Sequence, residues 1–343
     1  MKKYTIKIAL LFLFLAIMVG CGKKESSQNA ASINPDNLQS VDVSGQKIYL
    51  KYQFAKDDKL HYKLTTITNT LQTIKADSLL KSSAVQTLTY FFDINVVETD
   101  ANNVAELAVN IASINFAGDI NGQKMSYDSK KVTKEDKDKF AEFEVIVNSP
   151  FRVRVNQKGE ILDVTRVDKM IDKMISIRPE MKEMTSDQKS SMMKNIIEGE
   201  LKPRTQLLFR EMTSVQVAKD STWKRSTPAS LAVFQIENTS NFKVDDFIKV
   251  GDDRAAKLSA TLTSKWSGEK KGSEEGMNFL FDDPKVTGGG TIIFNIDRGL
   301  LIKSETSTTV ELGVQIDSRD ATQKMRKTVR KDLSTNKNIV ELL

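Results

Sequence analysis

The sequence predicts a mainly β (α+β) protein: a large curved antiparallel sheet or two β halves, with a helical insertion near 166–217 packed against the sheet. Three observations predict it. Apolar and polar residues alternate with period two from Ile48 to Val164 and again beyond Thr222, the spacing of strands with one buried face. Short polar turns rich in Asp, Asn and Gly separate these runs. Between the two regions the apolar spacing becomes helical.

Taken in order, Ile48, Leu50, Tyr52 and Phe54 alternate, Asp57-Asp58 turns the chain, and Leu60, Tyr62 and Leu64 lead into a Thr-rich run whose β-branched side chains favour strands. Phe92, Ile94 and Val96 form the next strand, and Leu107, Val109 and Ile111 follow the turn at Asp100–Asn103. Asn121-Gly122 is a strong hairpin signal between Ile114–Phe116 and Met125–Tyr127. Val145, Val147, Phe151, Val153 and Val155 continue the alternation to a turn at Gln157-Lys158-Gly159, with Ile161–Val164 beyond it. Val167, Met170, Ile171, Met174 and Ile175 then fall at i, i+3, i+4, i+7 and i+8, the stripe of an amphipathic helix. Pro179 interrupts it, Thr185–Gln188 caps a second helix carrying Met192, Met193, Ile196 and Ile197, and a third short helix ends near Val215. Strand spacing resumes at Thr222-Trp223-Lys224, then at Leu231, Val233 and Gln235, at Phe242 and Val244, and at Leu258–Ser264. Gly288-Gly289-Gly290 reads as a break before Ile292–Ile296, Asp297-Arg298-Gly299 as a turn, and Val310–Val314 as a return strand. Met325, Val329 and Leu333 fit a helix, whereas Asn338–Leu343 reads as a closing strand. The stretches Phe151–Val164 and Ile292–Ser304 echo each other as strand, Gly-containing polar turn, strand.

At the N-terminus, Lys2, Lys3 and Lys7 precede the uncharged run Ile8–Val19, too short to span a bilayer comfortably and suited to a secretory signal. Val19-Gly20-Cys21 closes it, with Met18 before, and this order resembles the lipobox of bacterial lipoproteins. The resemblance implies cleavage before Cys21 and diacylglyceryl attachment to its sulfur. Cys21 is the only cysteine, so an exported chain has no disulfide to make with it. The domain reading is therefore a signal peptide at 1–20 and a lipidated cysteine with a flexible polar tether at 21–45. A β-rich body at 46–343 divides into β halves at 46–165 and 218–343 around the insertion at 166–217. Such an anchor makes a membrane the first expected partner. It places the body in the bacterial cell envelope, with the periplasmic face of the outer membrane preferred because Gly22 is not an Asp that would resemble an inner-membrane signal.

Loss of the leader removes three lysines and leaves 48 basic against 45 acidic residues. That balance has none of the concentrated basic stripe of a nucleic-acid binder. Residues for catalysis are equally sparse. His61 is the only histidine and sits in a strand pattern; no zinc pair, G-x-S-x-G elbow or phosphate loop occurs. S-x-x-K appears at Ser78/Lys81, Ser191/Lys194 and Ser334/Lys337 without a K-T-G partner, and the Asp pairs at 245–246, 252–253 and 282–283 lack a calcium-loop pattern. The expectation is a non-enzyme with no cofactor and no resident metal.

Tyr127-Asp128-Ser129, the Phe151–Val164 hairpin with Gly159, and Asp220-Ser221-Thr222-Trp223 together resemble an uncharacterised family of secreted β-rich envelope proteins and lipoproteins. This chain carries Lys219-Asp220 where a glycine turn is usual. A curved sheet with helices beside it is distantly similar to the half-barrel lipoprotein and lipid carriers of the periplasm, which implies a carrier of apolar ligands. Methionine is the one unusual residue in the insertion. Met is an adaptable filler of surfaces that accept several apolar shapes, so Met170, Ile171, Met174, Met192 and Met193 are the candidate lining of a site for an apolar ligand or acyl chain. The alternatives are helices that only pack on the sheet, and an assembly role in which the surface binds another envelope protein.

Overall fold

The computed structural model describes residues 38–343 except 44, 275 and 320–323; the leader, Cys21 and most of the tether lie outside the described residues. A meander of β1 (Lys59–Lys75), β2 (Leu79–Thr99), β3 (Ala105–Ile120) and β4 (Gln123–Asp128) comes first. It is followed by α1 (Lys134–Lys139), α2 (Ala141–Ile146) and the hairpin of β5 (Phe151–Val155) and β6 (Ile161–Thr165). Next come α3 (Asp168–Ile177), a 3₁₀ turn at Pro179–Glu183, and α4 (Ser186–Ile196), which passes through a π turn at Ile197–Leu201 into α5 (Lys202–Leu208). The chain ends in β7 (Thr222–Leu231), β8 (Phe234–Val250), β9 (Asp253–Ser267), β10 (Lys271–Glu274), β11 (Met277–Phe281), β12 (Lys285–Asn295), β13 (Leu300–Arg319) and β14 (Met325–Leu342).

All fourteen strands belong to one open antiparallel sheet ordered β6-β5-β3-β2-β1-β14-β13-β12-β9-β8-β7, with β4 on β3 and the β10–β11 hairpin beside β13. The two sequence halves are therefore one sheet, joined where β1 pairs with β14 from Tyr62–Leu342 to Lys75–Val329. The tail is strand throughout, including Met325, Val329 and Leu333.

The sheet is rolled at one end. Tyr52 N donates to Gln157 O in the β5–β6 turn (2.8 Å), and Gln53 N donates to Gly299 O in the β12–β13 turn (3.1 Å). Those turns stand six strand positions apart, about 29 Å on a flat sheet at ~4.8 Å per strand. Consecutive residues reach both only because the sheet curls into a trough. Register shifts at Phe91/Phe92, Val96/Glu98, Arg154/Val155, Val244/Asp246 and Ile293/Phe294 fall in this lower part, and such bulges bend and twist strands. The two hairpins that echo each other in sequence are thus the two whose turns grip Tyr52 and Gln53.

Residues 48–54 alternate as a strand would, yet they cross the bottom of the trough instead of joining the sheet, held by the Ile48–Val217 bridge and by the two turns. Burial of Leu50 and Tyr52 supplies the alternation. Tyr52 meets Phe294 at 5.1 Å and Phe209 at 5.8 Å, both edge-on. Residues 39–41, grouped above with the tether, are attached to the body through Val41 N to Phe247 O (2.8 Å) and Lys249 N to Gln39 O (2.9 Å).

Three further local expectations are corrected. Val145 lies in α2 and Val147 caps it, so no strand forms there. Leu231, Val233 and Gln235 straddle a tight turn in which Ala232 has φ +53°. Gly288–Gly290 lie inside β12, between β9 and β13. A Cβ on Gly290 would stand 2.1 Å from Glu305 O and 2.7 Å from Thr306 Cα, so the run admits close strand approach and does not end the strand.

Candidate functional site

Helices fill the lower trough, and their upper edge leaves a cleft of ≈ 440 Å³ against β1–β4, within the ~300–1,000 Å³ of small-molecule sites. Its sheet wall follows from strand parity. Leu60, Tyr62 and Leu64 of β1 face inward and are buried, so Thr66 and Thr68 continue the same face above them, beside Leu88 and Gln86 of β2. Phe116, Ile120 and Met125 extend the wall across β3 and β4.

The opposite wall is helical. Thr133 begins α1 with a reciprocal cap: its side chain accepts from Asp136 N while the Asp136 carboxylate accepts from Thr133 N. The chain then turns Phe140, Phe143, Val145 and Ile146 of the α2 region towards the sheet. Phe140 and Phe143 stack 5.9 Å apart and clasp Tyr127, whose ring lies 4.9 Å and 5.4 Å away. Tyr127 Oη donates to Glu144 Oε1 at 2.6 Å; burial and this bond to a carboxylate push its phenol up. Lys173 of α3 donates to Glu144 O and Val147 O at the end of α2, and burial holds its ammonium below the usual lysine range against the favourable pull of Glu144. Met174 of α3 and Ile196 of α4 complete the apolar lining.

One end of the cleft is charged. Arg204 pairs with Glu200 and lies 5.1 Å from the Tyr90 ring centroid. Glu142 stands at the same rim, raised above the usual carboxylate range by burial and then by Glu200. Tyr90 is buried beneath, its hydroxyl close to Arg204 but without a hydrogen bond by geometry. The arrangement is an apolar slot with a polar mouth, suited to a chain-like molecule whose head stays at the rim.

Of the five residues expected to line the site, Met174 alone is among the cleft walls. Met170 and Ile171 are buried in the core against the sheet, and Met192 and Met193 are half-buried against the same core. Sequence reasoning missed α2, which supplies four wall positions. The signal was present: Thr133-x-x-Asp136 before Phe140, Phe143 and Val147 at i, i+3 and i+7, masked by β-branched Val145 and Val147.

The other chemistry considered is scattered. His61 bonds Asp93 at 2.7 Å on the exposed outer face. The three S-x-x-K pairs lie at the β1–β2 tip, in α4 and in β14. Asp246 accepts from Ser40 and Lys219, and Asp283 pairs with Lys270. Among the described residues no three His, Cys, Asp or Glu side chains converge to hold a metal, and no helix is long and apolar enough to cross a membrane.

The family model of DUF6263, a family of unknown function, matches residues 102–301. The chain belongs to that family. Its matched span runs from β3 to the start of β13, so it contains the helical wall of the cleft and all three segments of the sequence resemblance. No curated protein matches the chain. Among solved structures, lipovitellin, described for its lipid–protein interactions, aligns at 10% identity and TM-score 0.42 over 85% of this chain and 25% of that one. An outer membrane channel of Pseudomonas putida F1 aligns at 7% identity and TM-score 0.20, covering 89% of this chain and 100% of that one. The outer membrane protein opdK of Pseudomonas aeruginosa aligns at 8% and 0.14, covering 81% and 98%. The chain thus spans a quarter of lipovitellin, and none of these likenesses bears on ligand or partner.

Proposed function

We propose that this chain is a non-enzymatic, lipid-anchored protein of the bacterial envelope that holds an apolar ligand or acyl chain in the cleft between β1–β4 and the helices. The reading rests on one observation. Leu88, Phe116, Phe143, Ile146, Met174 and Ile196, at the edge of the packed core, face a common space that the helices leave unfilled. Apolar walls gain by exchanging water for hydrocarbon, and the charged rim keeps a polar head in solvent. Anchorage through Cys21 on the periplasmic face of the outer membrane would present the cleft to envelope lipids.

The test uses full-length chain carrying Cys21→Ser and a fluorescent fatty acid as probe. Saturable binding at one probe per chain is expected. Met174→Trp fills the slot and Met174→Lys charges it; each is expected to weaken binding at least tenfold, about 1.4 kcal/mol, with far-ultraviolet circular dichroism unchanged. No saturable binding, or equal affinity in both variants, contradicts the cleft and favours the assembly role.

A further inference from the structure

The strands overshoot the helical layer. β1 has 17 residues, about 56 Å at ~3.3 Å each, but only Leu60, Tyr62 and Leu64 of it are fully buried. Further up, its inward positions Thr66, Thr68, Thr70 and Gln72 lie opposite Asn338, Asn336, Ser334 and Asp332 of β14, a polar surface of the kind a solvated sheet needs. Nevertheless, Leu71, Leu79, Leu80, Val85, Met325 and Leu333 account for six of the twelve exposed large hydrophobics among the described residues, and all lie at the upper ends of the β1–β2 and β13–β14 hairpins.

Register puts Leu71, Leu79, Val85, Met325 and Leu333 on the outer face of the sheet, with Leu80, opposite Ile74, on the inner face of the same tip. Leu71 lies opposite Leu333, and Lys75 lies opposite both Leu79 and Val329. Arg326 pairs with Asp77 at 2.8 Å, tying the first hairpin turn to β14. Residues 75–81 and 325–333 carry six basic side chains against two acidic ones, while Asp282, Asp283 and Glu311 lie farther from the tips, beside Leu71, Lys331 and Leu333. Lysines 75, 81, 327 and 331 alternate with the leucines, so their stems can lie along apolar surface while the ammonium groups point outward.

We propose that these paired hairpin tips dock on an anionic lipid bilayer, with Leu79, Leu80 and Met325 entering the headgroup boundary and the lysines contacting lipid phosphates. Apolar side chains flanked by lysine and arginine are the composition that binds such interfaces, through buried area plus attraction to negative headgroups. A second copy is disfavoured because two such tips carry like charge. Gln39 and Val41 join β8 at the opposite end of the strands, and none of the residues at the tips lines the cleft, so the proposal is independent of the cleft.

The experiment places a polarity-sensitive fluorophore at Leu80→Cys, or at Asn102→Cys in the β2–β3 turn, in full-length Cys21→Ser chain. Vesicles are phosphatidylcholine alone or with about 30% phosphatidylglycerol. A blue shift at position 80 with anionic vesicles, at least tenfold weaker binding in Lys75→Glu/Lys81→Glu/Lys331→Glu, and no shift at position 102 are expected. No shift at 80, equal shifts at both sites, or indifference to charge reversal overturns the proposal. So does a shift at 80 that grows with protein concentration without vesicles, which would make the patch a contact between copies.

Discussion

Tyr52→Ala is expected to lower the stability of the chain by about 3–5 kcal/mol, the usual cost of deleting a buried ring. Tyr52 is 1% exposed and joins three parts of the molecule. Its ring stacks on Phe54 at 5.9 Å and meets Phe209 after α5 and Phe294 in β12 edge-on. Its hydroxyl donates to Arg210 O at 3.1 Å. Gly159 is shaped to it: a Cβ there would stand 2.5 Å from Tyr52 Cε2, and the φ of +88° already favours glycine. Loss of the ring therefore opens a cavity at the point where both sides of the rolled sheet meet the helices. Tyr52→Phe keeps the ring and loses one hydrogen bond, so about 1 kcal/mol is expected. Urea unfolding followed by Trp223 and Trp266 fluorescence measures both; a loss below about 1 kcal/mol for alanine would show that Tyr52 is not the closing residue.

Alkali is expected to unfold the chain through its buried phenols. Tyr90 is pushed up from 10 to about 12, first by burial, with Glu200 adding and Arg204 opposing. Tyr52 and Tyr62 are also raised by burial, and Tyr62 Oη donates to Leu301 O at 2.9 Å, a bond only the neutral phenol can make. A phenol that ionises later folded than unfolded favours the folded chain fully below pH ~10 and loses that contribution as pH rises through ~12. For Tyr90 the contribution is about 2–3 kcal/mol, at ~1.4 kcal/mol per pH unit. Stability should thus be flat towards pH 10 and fall steeply above it. Tyr90→Phe should flatten the fall while changing neutral stability by about 1 kcal/mol at most, because the Tyr90 hydroxyl has only its approach to Arg204 to lose. Phenolate absorbance titrated alongside circular dichroism checks this; complete ionisation near pH 10 with the fold intact would contradict it.

Local chemistry made much of this fold legible. Asn121-Gly122 turns with φ values of +52° and +86°, and the alternation at Leu60–Leu64 and Phe92–Val96 gave the buried face correctly. Thr185 caps α4 through Gln188 as its spacing implied. What sequence could not supply was set by distant neighbours. The pairing of β1 with β14 joins residues more than 250 apart, and no local pattern distinguishes it from two separate halves. The glycine run in β12 carries a turn composition, but Glu305 and Thr306 on the next strand decide its role. Burial alternates at 48–54 whether or not a strand pairs there. Most of the cleft was hidden for the same reason: its walls converge from β1–β4, α2, α3, α4 and α5, and only Met174 and Ile196 of them carried a helical apolar signal, of which Met174 alone was read as lining a site.

The most direct measurement is a native mass spectrum of full-length Cys21→Ser chain, expressed in a bacterial periplasm and purified without detergent, then denatured and extracted. One equivalent of an apolar molecule, released on denaturation and absent from Met174→Trp, is the predicted result. A bare protein mass across repeated preparations would contradict the cleft as a ligand site.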